Sequence, residues 1–314
     1  MKKWILISLL FLFSIPIILL AFRKDNIITR QQAIEFCSSP QSKYYTWKNS
    51  EVHYIEQGAG DTTILMIHGF GGSHKNFTSV AKILEKDYRV ISVDLPAFGL
   101  SEVPTLEIAD EDMFAYYQAF IRNSISTLNI EYYHVMGNSL GGWVAWDLAT
   151  ENDSSLLSLT LLSSAGFGME KVRATATGWM TSPFGKFIFK KGVPFRMSEA
   201  NAERCLSDPS KIVEEKVKAN YYMINKEGAF PWMLRMAGSP ALPDTASIAQ
   251  IECPSLIIWG DEDAIVPVEH ADKFAALLKN HQKIIYEYCG HTPQIEYPER
   301  VVEDWQKFVL KVSQ

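Results

Sequence analysis

The chain has 314 residues, 47% of them hydrophobic and 21% charged, with a formal net charge of −6. That length can bury a core without disulfide or metal staples, in one large domain with an insertion or in two modest domains. The mild acidity, with no cluster of Lys and Arg, excludes a nucleic-acid partner, because phosphate binding needs concentrated positive charge.

Residues 1–24 form a separate object. Met1-Lys2-Lys3 precedes an apolar run from Trp4 to Phe22, broken only by Ser8, Ser14 and Pro16, and Arg23-Lys24 follows. As a helix the run spans roughly 28 Å, close to the thickness of a hydrocarbon core. No small-x-small cleavage site follows it cleanly, which favours an uncleaved membrane anchor over a signal that is cut to release a secreted protein. By analogy with export signals, the folded part is expected on the exported side. Residues 25–42 read as a connector, with an amphipathic stretch Arg30–Phe36 as a short helix near the membrane surface. Cys37, Cys205, Cys253 and Cys289 are widely spaced and form no Cys-x-x-Cys pair, so they read as idle thiols rather than a zinc site or a disulfide framework.

From Lys43 to Gln57, apolar and polar residues alternate in two runs around Lys48-Asn49-Ser50, the pattern of a hairpin. Thr62–Ile67 is a continuous apolar run, as in a strand covered on both faces, and ends in His68-Gly69-Phe70-Gly71-Gly72. A helix over 76–85, a strand over 88–94, the loop Leu95–Ser101 and an acid-capped helix over 112–128 follow. Next come Tyr132–Met136 as a strand, Gly137-Asn138-Ser139-Leu140-Gly141, a helix over 143–149 and a strand over 156–162. Strands alternating with helices predict a mostly parallel sheet flanked by helices, with functional loops at the strands' C-terminal ends. Between residues 166 and 250 the alternation stops. Phe167, Trp179, Phe184, Phe187, Phe189, Phe195 and Trp232, with several methionines and prolines, read as a mainly helical cap inserted into a core of residues 43–165 and 251–314. Most of these aromatics suit a small core of the cap's own, although such a surface beside a pocket would also take apolar substrate. The sheet pattern returns at 254–259, and a helix over 268–279, a strand over 283–288 and a last helix over 298–311 complete the chain.

Gly-x-Ser-x-Gly between a strand and a helix places Ser139 on a sharp turn, its hydroxyl exposed at a helix N-terminus. The Leu140 N–H and, from the glycine loop after the earlier strand, the Phe70 N–H are the candidate oxyanion donors. A serine hydroxyl is a weak nucleophile, so it needs an imidazole to take its proton and a carboxylate to orient that imidazole. His291, in Gly290-His291-Thr292-Pro293 after the final strand, is the candidate base. His270 and His281 fall in or beside a helix, away from a strand end, and His68 reads as structural. In Asp261-Glu262-Asp263, Asp263 is the candidate acid, because two further residues bring its carboxylate over the sheet. Asp261 and Glu262 then read as turn and solvent groups.

With these positions in place, residues 46–309 resemble the α/β-hydrolase superfamily, and the loops at 68–72 and 137–142 resemble bacterial family V lipases and membrane-anchored monoacylglycerol lipases. Asp94-Leu95-Pro96 through Ser101, Trp259 through Asp263 and Gly290 through Pro293 also match that superfamily's recurring motifs. Ala97 stands where such loops often have Gly. The resemblance implies an α/β-hydrolase fold, a Ser139–Asp263–His291 triad and no metal or cofactor. It also implies hydrolysis of carboxylic esters, with lipid esters suggested by the apolar insertion and membrane segment. Carbon–carbon bond hydrolysis is the alternative chemistry on this scaffold, and a catalytically silent binding protein is the alternative outside enzymes.

Overall fold

Strands β1 (Ser42–Trp47), β2 (Ser50–Gln57), β3 (Thr63–Ile67), β4 (Arg89–Val93), β5 (Tyr133–Asn138), β6 (Leu156–Leu162), β7 (Ser255–Gly260) and β8 (His281–Tyr286) make one eight-stranded sheet in the order β1-β2-β4-β3-β5-β6-β7-β8. This is a computed structural model, and it describes residues 26–105, 113–168, 182–239 and 244–312. β1 and β2 are an antiparallel hairpin whose two-residue turn, Lys48-Asn49, has φ of 47° and 61°. Positive φ at both positions gives the twist that matches paired strands. β2 pairs antiparallel with β4, and the remaining pairs are parallel. This is the mostly parallel sheet flanked by helices that the alternation predicts, and the α/β-hydrolase architecture that the resemblance implies.

The helices are α1 (Arg30–Cys37), α2 (Thr78–Leu84), α3 (Met113–Thr127), α4 (Leu140–Ala149), α5 (Pro183–Phe189), α6 (Phe195–Cys205), α7 (Glu214–Ile224), α8 (Ala229–Gly238), α9 (Glu269–Leu277), α10 (Pro293–Glu296) and α11 (Pro298–Val312). Two apolar layers cover the sheet. Val80, Ala81 and Leu84 of α2 and Val301, Trp305 and Phe308 of α11 pack on one face, whereas Phe120 of α3, Trp143 and Trp146 of α4 and Phe274 of α9 pack on the other. With both faces covered, β3 and β7 are buried at every position, which is why they read as unbroken apolar runs. The strand order reverses at β3, with β4 on one side and β5 on the other, and in open α/β sheets ligands bind outside the strands' C-terminal ends at such a point.

Several boundaries differ from the sequence reading. The helix after Ser139 begins at Leu140 rather than Trp143, because the turn leads straight into it. The helix expected over 76–85 is split, with Ser73 capping a tight turn at His74–Phe77 before α2. β8 runs 281–286 rather than 283–288 because His281 already pairs with Ser255, so His281 starts a strand instead of flanking a helix. The acids expected to cap α3 lie outside the described residues, as do residues 1–24, Trp179 and the prolines at 240 and 243. Among the described residues no helix is long and apolar enough to cross a membrane.

The stretch read as a connector is instead packed into the fold. Thr29 and Gln32 form a capping box at the start of α1, and Ala33 and Cys37 are buried against Ala219 and Met223 of α7 and against Leu100. Arg30 reaches Glu51 (2.8 Å) and donates to the Leu100 carbonyl (3.2 Å). The short helix therefore turns its apolar side to the protein. All four cysteines are free thiols.

His134 lies beneath the sheet, its Nδ1 2.7 Å from the Ser158 hydroxyl and its ring edge-on to Trp305. Burial pushes its pKa down from 6.5 to about 4. The unfolded imidazole takes up a proton near 6.5, the folded one only near 4, so stability falls as pH drops through that interval and is fully retained above it. The loss assignable to His134 is about 3 kcal/mol. In His134→Gln, the pH dependence of the urea-unfolding free energy across this interval should flatten by that share. The slope contributed by His53 and His68, also lowered by burial, remains.

Candidate active site

Ser139 joins β5 to α4 with φ 54° and ψ −117°, a conformation that a residue carrying a Cβ adopts only under strain. The surroundings enforce it. The Ser139 N–H donates to the Leu162 carbonyl (3.1 Å), and the Ser139 carbonyl accepts from Ala165 (2.9 Å) and Trp143 (3.1 Å). A Cβ on Gly141 would lie 2.0 Å from the Ile67 oxygen, and one on Gly137 would lie 2.2 Å from the Gly141 oxygen. The spacing of the two glycines around the serine is thus a packing requirement of strand against helix. Ser139 is partly exposed, and its side chain makes no cap bond to the helix it precedes.

The loop after β3 passes beside this hydroxyl, since a Cβ on Gly69 would lie 3.0 Å from the Ser139 Cβ. Gly71 has φ 70°, and Gly72 closes the turn by donating to the Gly69 carbonyl (3.0 Å). Asn220 of α7 holds the loop from above through the Gly71 carbonyl (2.6 Å). The N–H groups of Phe70 and Leu140 donate to no group among the described residues. His68 is buried, its Nδ1 on the Gly69 carbonyl (2.8 Å) and its Nε2 accepting from Leu95 (3.0 Å), and burial lowers its pKa. It braces the loop, as its place in the sequence suggested.

From the ends of β7 and β8 come an acid and an imidazole. His291 Nδ1 lies 2.9 Å from Asp263 Oδ2 and 3.1 Å from Oδ1. The Asp263 side chain is fully buried, and its Oδ1 accepts from the N–H groups of Ile265 (2.8 Å) and Val266 (2.9 Å), which fix its direction. Asp261 is exposed, 3.4 Å from the Cys289 N–H, and Glu262 accepts from the Ser207 hydroxyl. His270 packs edge-on to Phe167 with its Nδ1 unpartnered, and His281 Nδ1 is on the Leu278 carbonyl. Of the three histidines weighed as a base, His291 alone is hydrogen-bonded to a carboxylate.

Among the described residues no hydrogen bond joins the Ser139 hydroxyl to the His291 ring. Their segments are tied through Asn138, whose Nδ2 donates to the carbonyls of Leu162 (3.0 Å) and His291 (3.1 Å). Catalytic hydrogen bonds are often long before substrate binds, so the tie between segments matters more than this one contact. Glu296 secures the other side of the His291 loop by accepting from the N–H groups of Gly290 (2.7 Å) and Ser207 (3.1 Å). Neither residue was singled out in the sequence. Asn138 is the variable position within Gly-x-Ser-x-Gly, and a buried glutamate three residues past a proline carries no signature.

A second unread cluster lies behind the site. Asp94 accepts from the His74 N–H (2.6 Å), the Leu100 N–H (2.8 Å) and the ring nitrogens of His53 (2.7 Å) and His74 (3.0 Å). Burial alone would raise its pKa, but the His74 and His53 rings outweigh burial and hold the carboxyl well below the usual range. The ligand atoms of His53, His74 and Asp94 lie within 4.8 Å of one another, close enough to hold a metal ion. The carboxylate is already engaged by N–H donors, and the cluster acts as a knot joining β2, β4 and the 95–101 loop. A Cβ on Gly99 would strike the Asp94 carboxylate at 2.0 Å, which accounts for glycine there at φ 50°. Lys226, fully buried, donates from the cap to the carbonyls of Gly99 (2.9 Å) and Ser101. Burial brings its pKa down to about 7.

A partly exposed hydroxyl on a strained turn, two free N–H groups beside it and a carboxylate-bound imidazole at the same sheet edge are the parts that hydrolytic acyl transfer requires. The fold and this edge define a hydrolase. Residues 62–298 match the model of the alpha/beta hydrolase fold family, and the chain belongs to that family. It is similar to Lipase 1 of Psychrobacter immobilis, 29% identical over 259 residues that span 81% of this chain and 79% of that protein. It is also similar to the 2-hydroxy-6-oxo-6-(2'-aminophenyl)hexa-2,4-dienoic acid hydrolase of Metapseudomonas resinovorans, 27% identical over 260 residues, 79% of this chain and 84% of that one. The crystal structure of a membrane phospholipase A superposes with a TM-score of 0.75 at 24% identity, covering 100% of both chains, a likeness of fold.

Replacing Asn138 by Ala leaves the buried His291 carbonyl without its donor, at about 1–3 kcal/mol, while the Leu162 carbonyl keeps the Ser139 N–H. The expected outcome is a lower thermal midpoint together with a fall in kcat larger than any change in KM, because the His291 loop loses its tie to the elbow. An unchanged kcat would show that Asn138 does not position that loop.

Proposed function

We propose that the chain is a serine esterase acting on carboxylic esters with apolar acyl chains, acylglycerols being the substrate class, through an acyl-enzyme intermediate. The observation that carries this reading is the His291–Asp263 hydrogen bond beside a strained, accessible Ser139. Ser139 Oγ attacks the ester carbonyl carbon as His291 Nε2 takes its proton, and Asp263 stabilises the imidazolium formed. The carbonyl oxygen, now an oxyanion, is held by the N–H groups of Phe70 and Leu140. The intermediate expels the alcohol, which receives the proton from His291. Water, deprotonated by the same imidazole, then attacks the acyl-enzyme and frees the acid.

Support for an apolar substrate comes from the site's edge. Phe70 is 44% exposed, and a Cβ on Gly71 would lie 3.3 Å from Met233 Cε of α8, so an apolar cap residue borders the oxyanion loop. The likeness to a Psychrobacter lipase favours the same reading. The likeness to a dienoic acid hydrolase supports a second one, carbon–carbon cleavage by the same residues.

Ser139→Ala should abolish the burst of p-nitrophenol from a medium-chain p-nitrophenyl ester. Asp263→Asn should lower kcat by on the order of 10³–10⁴, as expected where a carboxylate fixes the imidazole tautomer. Faster cleavage of a vinylogous diketone than of any acyl ester would replace the ester reading with the carbon–carbon one.

Residues 1–24 are proposed to tether this enzyme to a membrane with the folded part on the exported side. Protease added to intact cells should then degrade the folded domain. A domain that becomes sensitive only after lysis would place it on the other side.

A further inference from the structure

Between α6, α7 and the turn at His74–Phe77 lies an open cavity of about 130 Å³ that does not include Ser139, Asp263 or His291 in its wall. It sits behind the site. Thr292, which follows His291, lines it, as does Asn220, whose other contact is the Gly71 carbonyl of the oxyanion loop. Its chemistry is unlike that of the chain as a whole, which carries a net charge of −6. Lys75, Lys211 and Lys216 line the cavity, and no Asp or Glu does.

Lys211 is occupied, donating to the Glu296 carbonyl (2.9 Å) and lying over the Tyr297 ring. Lys75 and Lys216 form no ion pair among the described residues. They are near enough that, after desolvation, the Lys75 charge is the second cause depressing the Lys216 pKa. Two ammonium groups facing one cavity without a carboxylate repel each other, an arrangement that an anion relieves. The same cavity is lined by the aliphatic and thioether side chains of Leu206, Ile212, Val217, Met223 and Ile295.

We infer that this cavity is a second binding site, for a phosphate group borne on an apolar chain, with Lys75 and Lys216 holding the phosphate and the aliphatic side chains holding the chain. Two ammonium groups match a phosphate monoester, with three acceptor oxygens and nearly two charges, better than a singly charged carboxylate. The aliphatic wall distinguishes a lipid-borne phosphate from the free ion. The site stands apart from the hydrolytic reading, because its test measures binding and not turnover.

The test is calorimetric titration of the full-length Ser139→Ala chain, in nonionic detergent, with hexyl phosphate, hexanol and inorganic phosphate. Hexyl phosphate should bind at least about tenfold more tightly than either of the others, and the Lys75→Gln/Lys216→Gln variant should weaken it by a further factor of about ten, each factor corresponding to about 1.4 kcal/mol. The single Lys75→Gln and Lys216→Gln variants carry the comparison if the double variant fails to fold. Equal binding of hexanol would overturn the phosphate requirement, and equal binding of inorganic phosphate would overturn the lipid one. Affinity unchanged in the lysine variants would place any bound hexyl phosphate elsewhere and remove the site.

Discussion

The close approach of β5 and α4 at Ser139 is the constraint on which the rest of the site depends. A backbone at φ 54° and ψ −117° persists only where its surroundings overdetermine it. Here the serine's own N–H and carbonyl are bound to β6 and to the start of its outgoing segment, while Gly141 lies against the end of β3 with no room for a methyl group. Three strands therefore share in holding one residue. The same contact that strains Ser139 brings the β3 loop alongside it, with Gly69 against the Ser139 Cβ, so the serine and that loop are positioned by a single packing event.

Buried polar groups carry that precision outward. Asp94 ties the 95–101 loop to β2 and to the turn before α2, and His68 couples the oxyanion loop to Leu95 at the start of the same loop. Asn138 and Glu296 grip the His291 segment from opposite sides. Each of these side chains fills a buried hydrogen-bonding position that leaves a neighbour unsatisfied if vacated, which makes the network costly to loosen one member at a time.

How much of this was legible in the sequence follows from which signals are local. The elbow, the glycine loop and the unbroken apolar run of β3 announce themselves because the residues that need one another are adjacent in the chain. The choice of Asp263 over Asp261 and of His291 over His270 and His281 rests on strand ends, and in the structure His291 Nδ1 lies 2.9 Å from Asp263 Oδ2. The boundary of β8 escaped because its apolar pattern is weak at an edge strand. The partners in the Asp94 knot were invisible for another reason. His53 lies on a hairpin strand and His74 in a turn, and their meeting with Asp94 is a product of sheet order rather than of spacing. The helix at 30–37 was legible as a helix, but its apolar side gave no indication that α7 would cover it.

The cap's attachment bears on how a substrate could reach Ser139. α7 is joined to the core by Asn220 at Gly71, and just past its end by Lys226 at Gly99 and Ser101, while α1 packs across its outer side. Lifting α7 as a flap would strand the Lys226 amine and two loop carbonyls away from their partners, each buried group left unpaired costing about 1–3 kcal/mol. It would also release the Gly71 carbonyl from Asn220 and loosen the turn that Gly72 closes on Gly69. Detaching α7 is thus opposed by several buried hydrogen bonds at once, and the part of the cap that Lys226 and Asn220 fasten is held to the core by them.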